Sequence, residues 1–371
     1  MVMDENRVKR HLLYHYFMDY HYEDGNIIGY MTTHPLPISI WAHNLFIDSN
    51  MGNPKLFPGT SKMEKYVVRW LSKLHSGKNV EGKLLSGGTE SNITSIWIAK
   101  MMGKRNLIVG ESAHFSFLKA ASLMNMNVRI IPLKNDFTID YSKIDAGEDD
   151  IIVGVAGSTE FGTIDNISKL NDISRKSGAF LHVDAAFGGY VIPFLKKMNY
   201  NLPDYDFRFD YVKTISIDPH KMGLATTPSS VLLTRKGLYR KIEIPSPYLT
   251  KTRSSTLLGT RNSASIASAY ANIKYLGIEG YMDIVKYCME NTRFLRDISL
   301  DNRFELLLEP VMNIVNIKIR NVRKTVKKLY PKWIVSPIER YDSIRIVLMP
   351  HVNRISLEKF IKDLKDLQSK I

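Results

Sequence analysis

The stretch TISIDPHKMGLATTPSSVLL, residues 214–233, reads as strand, abrupt loop, strand, with Lys221 at the exit of the first strand beside Pro219, His220 and Gly223. Lysine is ordinarily a surface residue. Its amine attacks a carbonyl only when neutral, so an imine-forming lysine belongs at the end of a packed, partly desolvated sheet. A phosphate contact and a plain surface position are the other two readings of Lys221.

Four more stretches end in residues able to do chemistry. LHVDAAFGG, residues 181–189, closes a buried-type strand with Asp184, followed by Ala185, Ala186, Gly188 and Gly189. An acid with such small neighbours suits a flat ligand whose ring nitrogen it pairs with; the competing role is helix N-capping. LLSGGTESN, residues 84–92, is a strand, a glycine turn and a helix start, where free N–H groups favour a phosphate; an ordinary capped junction reads the same way. ESAHFSFLKAA puts His114 just past a strand, able to stack on an aromatic ligand or merely to cap a helix. GSTEFGTIDN brings the hydroxyls of Ser158 and Thr159 to another strand end. Together these supply a phosphate cup, a ring-stacking histidine, an acid for a ring nitrogen, a hydroxyl and an imine-forming lysine, the set that pyridoxal 5′-phosphate (PLP) requires. GKNVEGKL, residues 77–84, nearly spells a P-loop, but Leu84 stands where the magnesium-binding hydroxyl belongs, and no GxGxxG occurs. His11 and His15 are four apart on a helix-like stretch without an evident third ligand, so no metal site is expected.

The elements that must position these residues alternate. Strand-like runs at 83–87, 106–110, 128–133, 151–157, 179–184, 211–217 and 229–235 are interleaved with helix-like runs at 90–102, 114–125 and 166–177. Continuous apolar strands separated by helices predict an α/β fold, a mostly parallel seven-stranded sheet covered on both faces. All the candidate residues fall at strand carboxyl ends, where open α/β sheets bind ligands. After Arg235 the rhythm changes to long helices and a few strands, a smaller C-terminal α+β unit. The 371 residues divide as an N-terminal helix and arm (1–50), a large ligand-binding domain (51–250) and a small domain (251–371).

The net charge of +14 raises a nucleic-acid reading. No run of five or more basic residues exists, and the densest basic cluster, Arg320 to Lys328, lacks interleaved aromatics. Scattered solvated lysines, or an attraction for anionic substrates, fit as well. A single cysteine, Cys288, excludes an intramolecular disulfide and favours a reducing cytoplasm. Its helix-like surroundings make it a buried small hydrophobe. The N-terminus has no apolar core of a secretory signal, and no run is long enough to span a membrane.

The sequence resembles the fold-type-I PLP-dependent enzymes, and within them the group II amino-acid decarboxylases, most closely the archaeal L-tyrosine/L-aspartate decarboxylase family. The stretches that carry the resemblance are NPKLFPGT, SGGTESN, the histidine of ESAHFS, HVDAAFGGYVIPF, SISIDPHKMGLA, PYLTKTRSSTLLGTRNSA and IRIVLMPHV, in the family's order between about residues 50 and 352. The resemblance implies that Lys221 bonds to the cofactor aldehyde, Asp184 pairs with the pyridinium nitrogen and His114 stacks on the ring. It implies that Gly88, Thr89 and His220 hold the phosphate, with Thr159 and Ala186 beside the ring. Tyr248, in a Ser/Thr/Lys/Arg-rich loop, would protonate Cα after carbon dioxide leaves. Arg345 would orient a substrate carboxylate, with Arg261 a second candidate, although GTRNSA stands where relatives often read GTRSG. His34, in the arm MTTHPLPIS, would line the pocket. The substrate expected is L-aspartate, giving β-alanine, or L-tyrosine, giving tyramine. Glutamate, or lyase or aminotransferase chemistry on the same scaffold, is the alternative. A homodimer with shared sites is implied by the resemblance alone.

Overall fold

In the computed structural model, which describes residues 3–249 and 252–370, the alternating region closes into one seven-stranded sheet. Its strands are β1 (Val80–Leu85), β2 (Asn106–Gly110), β3 (Asn127–Ile131), β4 (Asp150–Val155), β5 (Phe180–Asp184), β6 (Val212–Ile217) and β7 (Ser230–Arg235). Their order is β1-β7-β6-β5-β4-β2-β3, and all neighbours are parallel except β7, which runs against both β1 and β6. Apolar residues occupy both faces, because helices cover both. Val183, Ile215 and Leu181 join the core beneath α3 (Pro58–Leu74) and α6 (Ile167–Ser177). Phe180, Val153 and Leu107 join the opposite core beneath α4 (Gly88–Met101) and α5 (Ser116–Met124). The two-residue side-chain period of a strand thus divides the sheet cleanly between two cores.

The small residues after Asp184 have a steric cause. A Cβ on Gly188 would stand 2.1 Å from the Ala156 carbonyl oxygen, so only glycine lets the chain leaving β5 pass the end of β4.

The remaining elements are α1 (Glu5–Tyr16), α2 (Pro37–Leu45), α7 (Ile192–Lys197), the two-residue strands β8 (Ile244–Pro245) and β9 (Arg253–Ser254), and α8 (Ser263–Asp301). They end with β10 (Ile314–Lys318), α9 (Val322–Leu329), β11 (Ser336–Ile338), β12 (Ser343–Val347) and α10 (Arg354–Gln368). The last three strands make an antiparallel sheet of order β10-β12-β11. The two long helices expected from the sequence are the two halves of α8: they meet at Gly277, whose backbone (φ +59°, ψ −158°) is not helical, and Asn262 caps the first by accepting the Ala264 N–H at 2.8 Å.

Two features depart from the sequence-based division of the chain. Ile266, Ala269, Ile273, Tyr281, Val285 and Met289 of α8 are buried in the core of the large sheet, so that core extends well past residue 250. The N-terminal arm joins the small sheet: Ile27 bridges Ile334, and Val347 N–H donates to Ile28 O at 2.7 Å. Helix α1 buries none of its residues and leaves Leu12, Leu13 and Tyr14 in solvent. Cys288 is fully buried in α8, and burial pushes its thiol pKa up. Among the described residues no helix is long and apolar enough to cross a membrane.

Candidate active site

The carboxyl ends of β1, β2, β4, β5 and β6 surround a cavity of about 300 Å³. Gly88, Thr89, His114, Thr159, Asp184, Ala186, His220 and Lys221 all line it. Residues spread over 134 positions of sequence, from Gly88 to Lys221 inclusive, meet because each follows a strand of one sheet.

Lys221 leaves β6 through a tight turn in which its N–H bonds Asp218 O at 3.1 Å. Its Nζ stands 3.1 Å from Asp218 Oδ2. Asp218 Oδ1 is buried and has no hydrogen-bond partner, and the residue faces the cavity. A buried, unpaired carboxylate oxygen is costly unless a ligand or solvent donates to it. Across the cavity α4 begins at Gly88, where the first-turn N–H groups lack intrahelical partners. A Cβ on Gly88 would come within 2.7 Å of Asp218 Oδ2, so any larger residue here would push the Asp218 carboxylate beside the lysine turn.

Asp184 is buried at the end of β5. It accepts the Ala186 N–H at 3.0 Å and the Ser216 hydroxyl at 3.3 Å on Oδ1, and the Asn92 amide at 3.0 Å on Oδ2. Burial lowers the His114 pKa, partly offset by the Asp184 carboxylate, so the ring is neutral and suited to stacking. A cradle for an anion, a ring-facing histidine, a carboxylate for a ring nitrogen and an amine fit PLP, with Lys221, Asp184, His114, Gly88, Thr89 and His220 as the residues that would hold it.

Arg345, on β12, does not itself line the cavity but bonds Thr159, which does, from the small sheet. Its Nη1 donates to Thr159 O at 2.7 Å, and its Nη2 donates to Gly29 O at 2.6 Å and Ser336 Oγ at 2.9 Å. Its Nε is buried without a partner. Burial lowers the guanidinium pKa to about 10, which leaves it charged at neutral pH.

Three expected residues lie elsewhere. Arg261 is committed to structure: it is ion-paired with Glu64 of α3, its Nη1 donates to Leu84 O at 2.9 Å and its Nη2 to Met51 O at 3.2 Å. It borders a separate cavity of about 470 Å³ beside α3 and does not line the Lys221 cavity. His34 stands outside the site, half-exposed and 3.2 Å from Glu23. Tyr248 projects from the β8–β9 hairpin, is 87 % exposed and does not touch the Lys221 cavity of its own chain. The neighbouring Thr250 and Lys251 lie outside the described residues. The sequence reading missed Asp218, Asn92 and Ser112, which also line the cavity. Asp218, three before the lysine, and Asn92, one turn into α4, were both visible inside the motifs quoted.

The comparisons with known proteins agree with this geometry. The family model described as "Pyridoxal-dependent decarboxylase conserved domain" matches residues 20–320. The chain is 41% identical to a probable L-tyrosine/L-aspartate decarboxylase of Methanococcus maripaludis, over 98% of this chain and 99% of that protein. It is 41% identical to the L-aspartate/L-glutamate decarboxylase of Pyrococcus horikoshii, over 95% and 94%. The structure of a sphingosine-1-phosphate lyase from Burkholderia pseudomallei superposes with a TM-score of 0.89 at 24% identity, over 99% of this chain and 90% of that one, a likeness of fold alone. With that match across most of its length, and a cavity whose residues fit the cofactor, the chain belongs to the pyridoxal-dependent decarboxylase family.

Proposed function

We propose that the chain decarboxylates L-aspartate to β-alanine, with L-tyrosine as its second substrate. The observation that carries an amino-acid substrate is the Arg345 guanidinium, buried, bonded to Thr159 O and with Nε unpaired, a partner for the α-carboxylate that every such substrate has. A fixed cation with one donor free is a carboxylate site. The cavity is small, about 300 Å³, and Ser86, Ser112, Asn92 and Thr159 line it alongside the charged groups and a few apolar residues, which favours a compact substrate over a large aromatic one. The relatives named for aspartate support the same choice.

Bound through Lys221, PLP supplies an electron sink for the pair left when a carboxylate departs. The protein supplies position and protons. Gly88, Thr89 and His220 would hold the phosphate, and Asp184 would accept from the ring nitrogen. His114 would cover one face of the ring, and Arg345 would orient the amino acid. Asp218, 3.1 Å from Lys221 Nζ, keeps the lysine's proton local between turnovers. Carbon dioxide release from purified, PLP-reconstituted protein tests the assignment. Aspartate is the fastest of aspartate, tyrosine and glutamate; release from tyrosine alone reverses the order, and release from none of the three overturns the proposal.

Tyr248 completes the site from a second copy of the chain. Two exposures support this: Tyr248 itself, and the wholly unburied α1 with its apolar Leu12, Leu13 and Tyr14. An exposed apolar stretch of this kind marks an interface. Mixing separately inactive Lys221→Ala and Tyr248→Phe proteins, unfolded and refolded together, restores activity to about a quarter of wild type, since about half the chains are then in mixed dimers, each with one intact site. No recovery would place Tyr248 in its own chain's site or outside the chemistry.

A further inference from the structure

Asp184 is the cavity end of a buried polar chain. The two-residue period of β5 puts His182 and Asp184 on the same face, beneath α4. Their parallel partners on β6 are Thr214 and Ser216. On α4, Asn92 and Ser95 are three residues apart and turn to meet them. Asn92, Ser95, Ser116, His182 and Thr214 are all buried.

The direction of the hydrogen bonds that link Asp184, Asn92, His182 and His114 follows from the groups at their ends. The Asn92 amide nitrogen faces two acceptors, Asp184 Oδ2 and Ser116 Oγ, each at 3.0 Å. Its carbonyl oxygen therefore faces His182 Nε2, 3.1 Å away. A carbonyl only accepts, so His182 carries its proton on Nε2. His182 Nδ1 then accepts from the hydroxyl pair of Thr214 (2.8 Å) and Ser95 (3.1 Å). At the other branch, the Ser116 backbone N–H donates to His114 Nδ1 at 3.3 Å, which makes Nδ1 an acceptor, so the Ser116 hydroxyl, accepting from Asn92, donates to it as well at 2.9 Å. That leaves the His114 proton on Nε2. Burial pushes the His182 pKa down to about 4 against the pull of the Asp184 carboxylate, so the ring remains a neutral, one-way link.

We propose that Asn92, oriented by His182, is a positioning residue that aims Asp184 at the cofactor ring and, through Ser116, holds His114 as a neutral Nε2–H ring. The inference rests on the Asp184 and His114 roles given above. It adds a cause for polar residues inside an otherwise apolar layer: a lone aspartate at a strand end has rotamers to spare, whereas one fixed by an amide that is itself fixed does not. His182 touches nothing in the cavity, and acts only through Asn92.

Three readouts test it: the PLP dissociation constant, the pH titration of the bound cofactor's visible spectrum, and the melting temperature of the cofactor-free protein. Asn92→Ala and His182→Leu weaken PLP binding about tenfold or more, the loss seen when a partner orienting a binding group is removed. Both also move the spectral titration by about half a pH unit or more. His182→Gln, whose amide can present an N–H near the place of Nε2, recovers both properties. If Asn92→Ala does not fold, Asn92→Ser is read the same way. Variants that lower only the cofactor-free melting temperature, leaving affinity and titration unchanged, would make the network purely structural and overturn the proposal. Asp184→Asn separates the two levels. If it too leaves affinity and titration unchanged, the Asp184 reading itself fails; if it shifts them while Asn92→Ala does not, only the network inference falls.

Discussion

Replacing Lys221 with alanine or arginine removes the visible absorbance of the PLP-reconstituted protein and lowers turnover by at least about a thousandfold. The two variants fail for different physical reasons, and comparing them isolates the chemistry. Alanine deletes the amine and also strands the Asp218 carboxylate, 2 % exposed, without its cation at 3.1 Å. Breaking a buried pair by removing one partner costs about 3 kcal/mol. The Lys221→Ala protein therefore melts lower as well as losing activity. Arginine keeps a cation facing Asp218, but its guanidinium is always protonated and cannot bond to the aldehyde. Lys221→Arg is expected to melt close to wild type while remaining colourless and inactive. A yellow, active Lys221→Arg protein would remove Lys221 from the reaction. Spectra, melting curves and carbon dioxide release on the same samples read all three quantities.

Local patterning made much of this site legible. The strands were readable because most are short apolar runs closed by Gly, Asp or Pro, and the structure places them within a few residues of the expected ends. Their parallel arrangement follows from the helices between them, and it carries Gly88, His114, Thr159, Asp184 and Lys221 to one edge. The failures share one physical cause, contacts between residues remote in sequence. Arg261 reads as a free cation beside a glycine turn, yet its partner Glu64 lies 197 positions away on α3. The arm around His34 reads as a pocket wall, yet nearby Ile27 bridges Ile334 in the small sheet. Tyr248 lies in the expected loop, but no periodicity says which copy of the chain the loop serves. His182 is the instructive intermediate case. A histidine alternating with Leu181 and Val183 inside a buried strand must share the face of Asp184, so its side was legible; its partner on α4 was not.

Arg345 carries the second large effect, and its variants decide which carboxylate it holds. Truncating one member of a buried, hydrogen-bonded charge pair costs roughly 2–5 kcal/mol, so Arg345→Ala lowers kcat/KM by about thirtyfold to a few thousandfold. Every amino acid has an α-carboxylate, and only some have a second. If Arg345 holds the α-carboxylate, aspartate and tyrosine lose by the same factor, and this is the expected result. A loss confined to aspartate would instead assign the guanidinium to the side chain and make it the residue that selects the substrate. Lysine at this position keeps the charge without the planar fork. The wild-type side chain uses Nη1 and Nη2 on Thr159 O, Gly29 O and Ser336 Oγ, leaving Nε for the substrate. An ammonium cannot make all of those bonds, so Arg345→Lys recovers only part of the loss. Because the same bonds tie Gly29 of the arm to Thr159 of the large sheet, Arg345→Ala also lowers the melting temperature. The lysine variant tells binding from docking: a melting temperature restored without a restored kcat/KM leaves the guanidinium itself as the carboxylate's partner, whereas recovery of both together would reduce Arg345 to a structural tie.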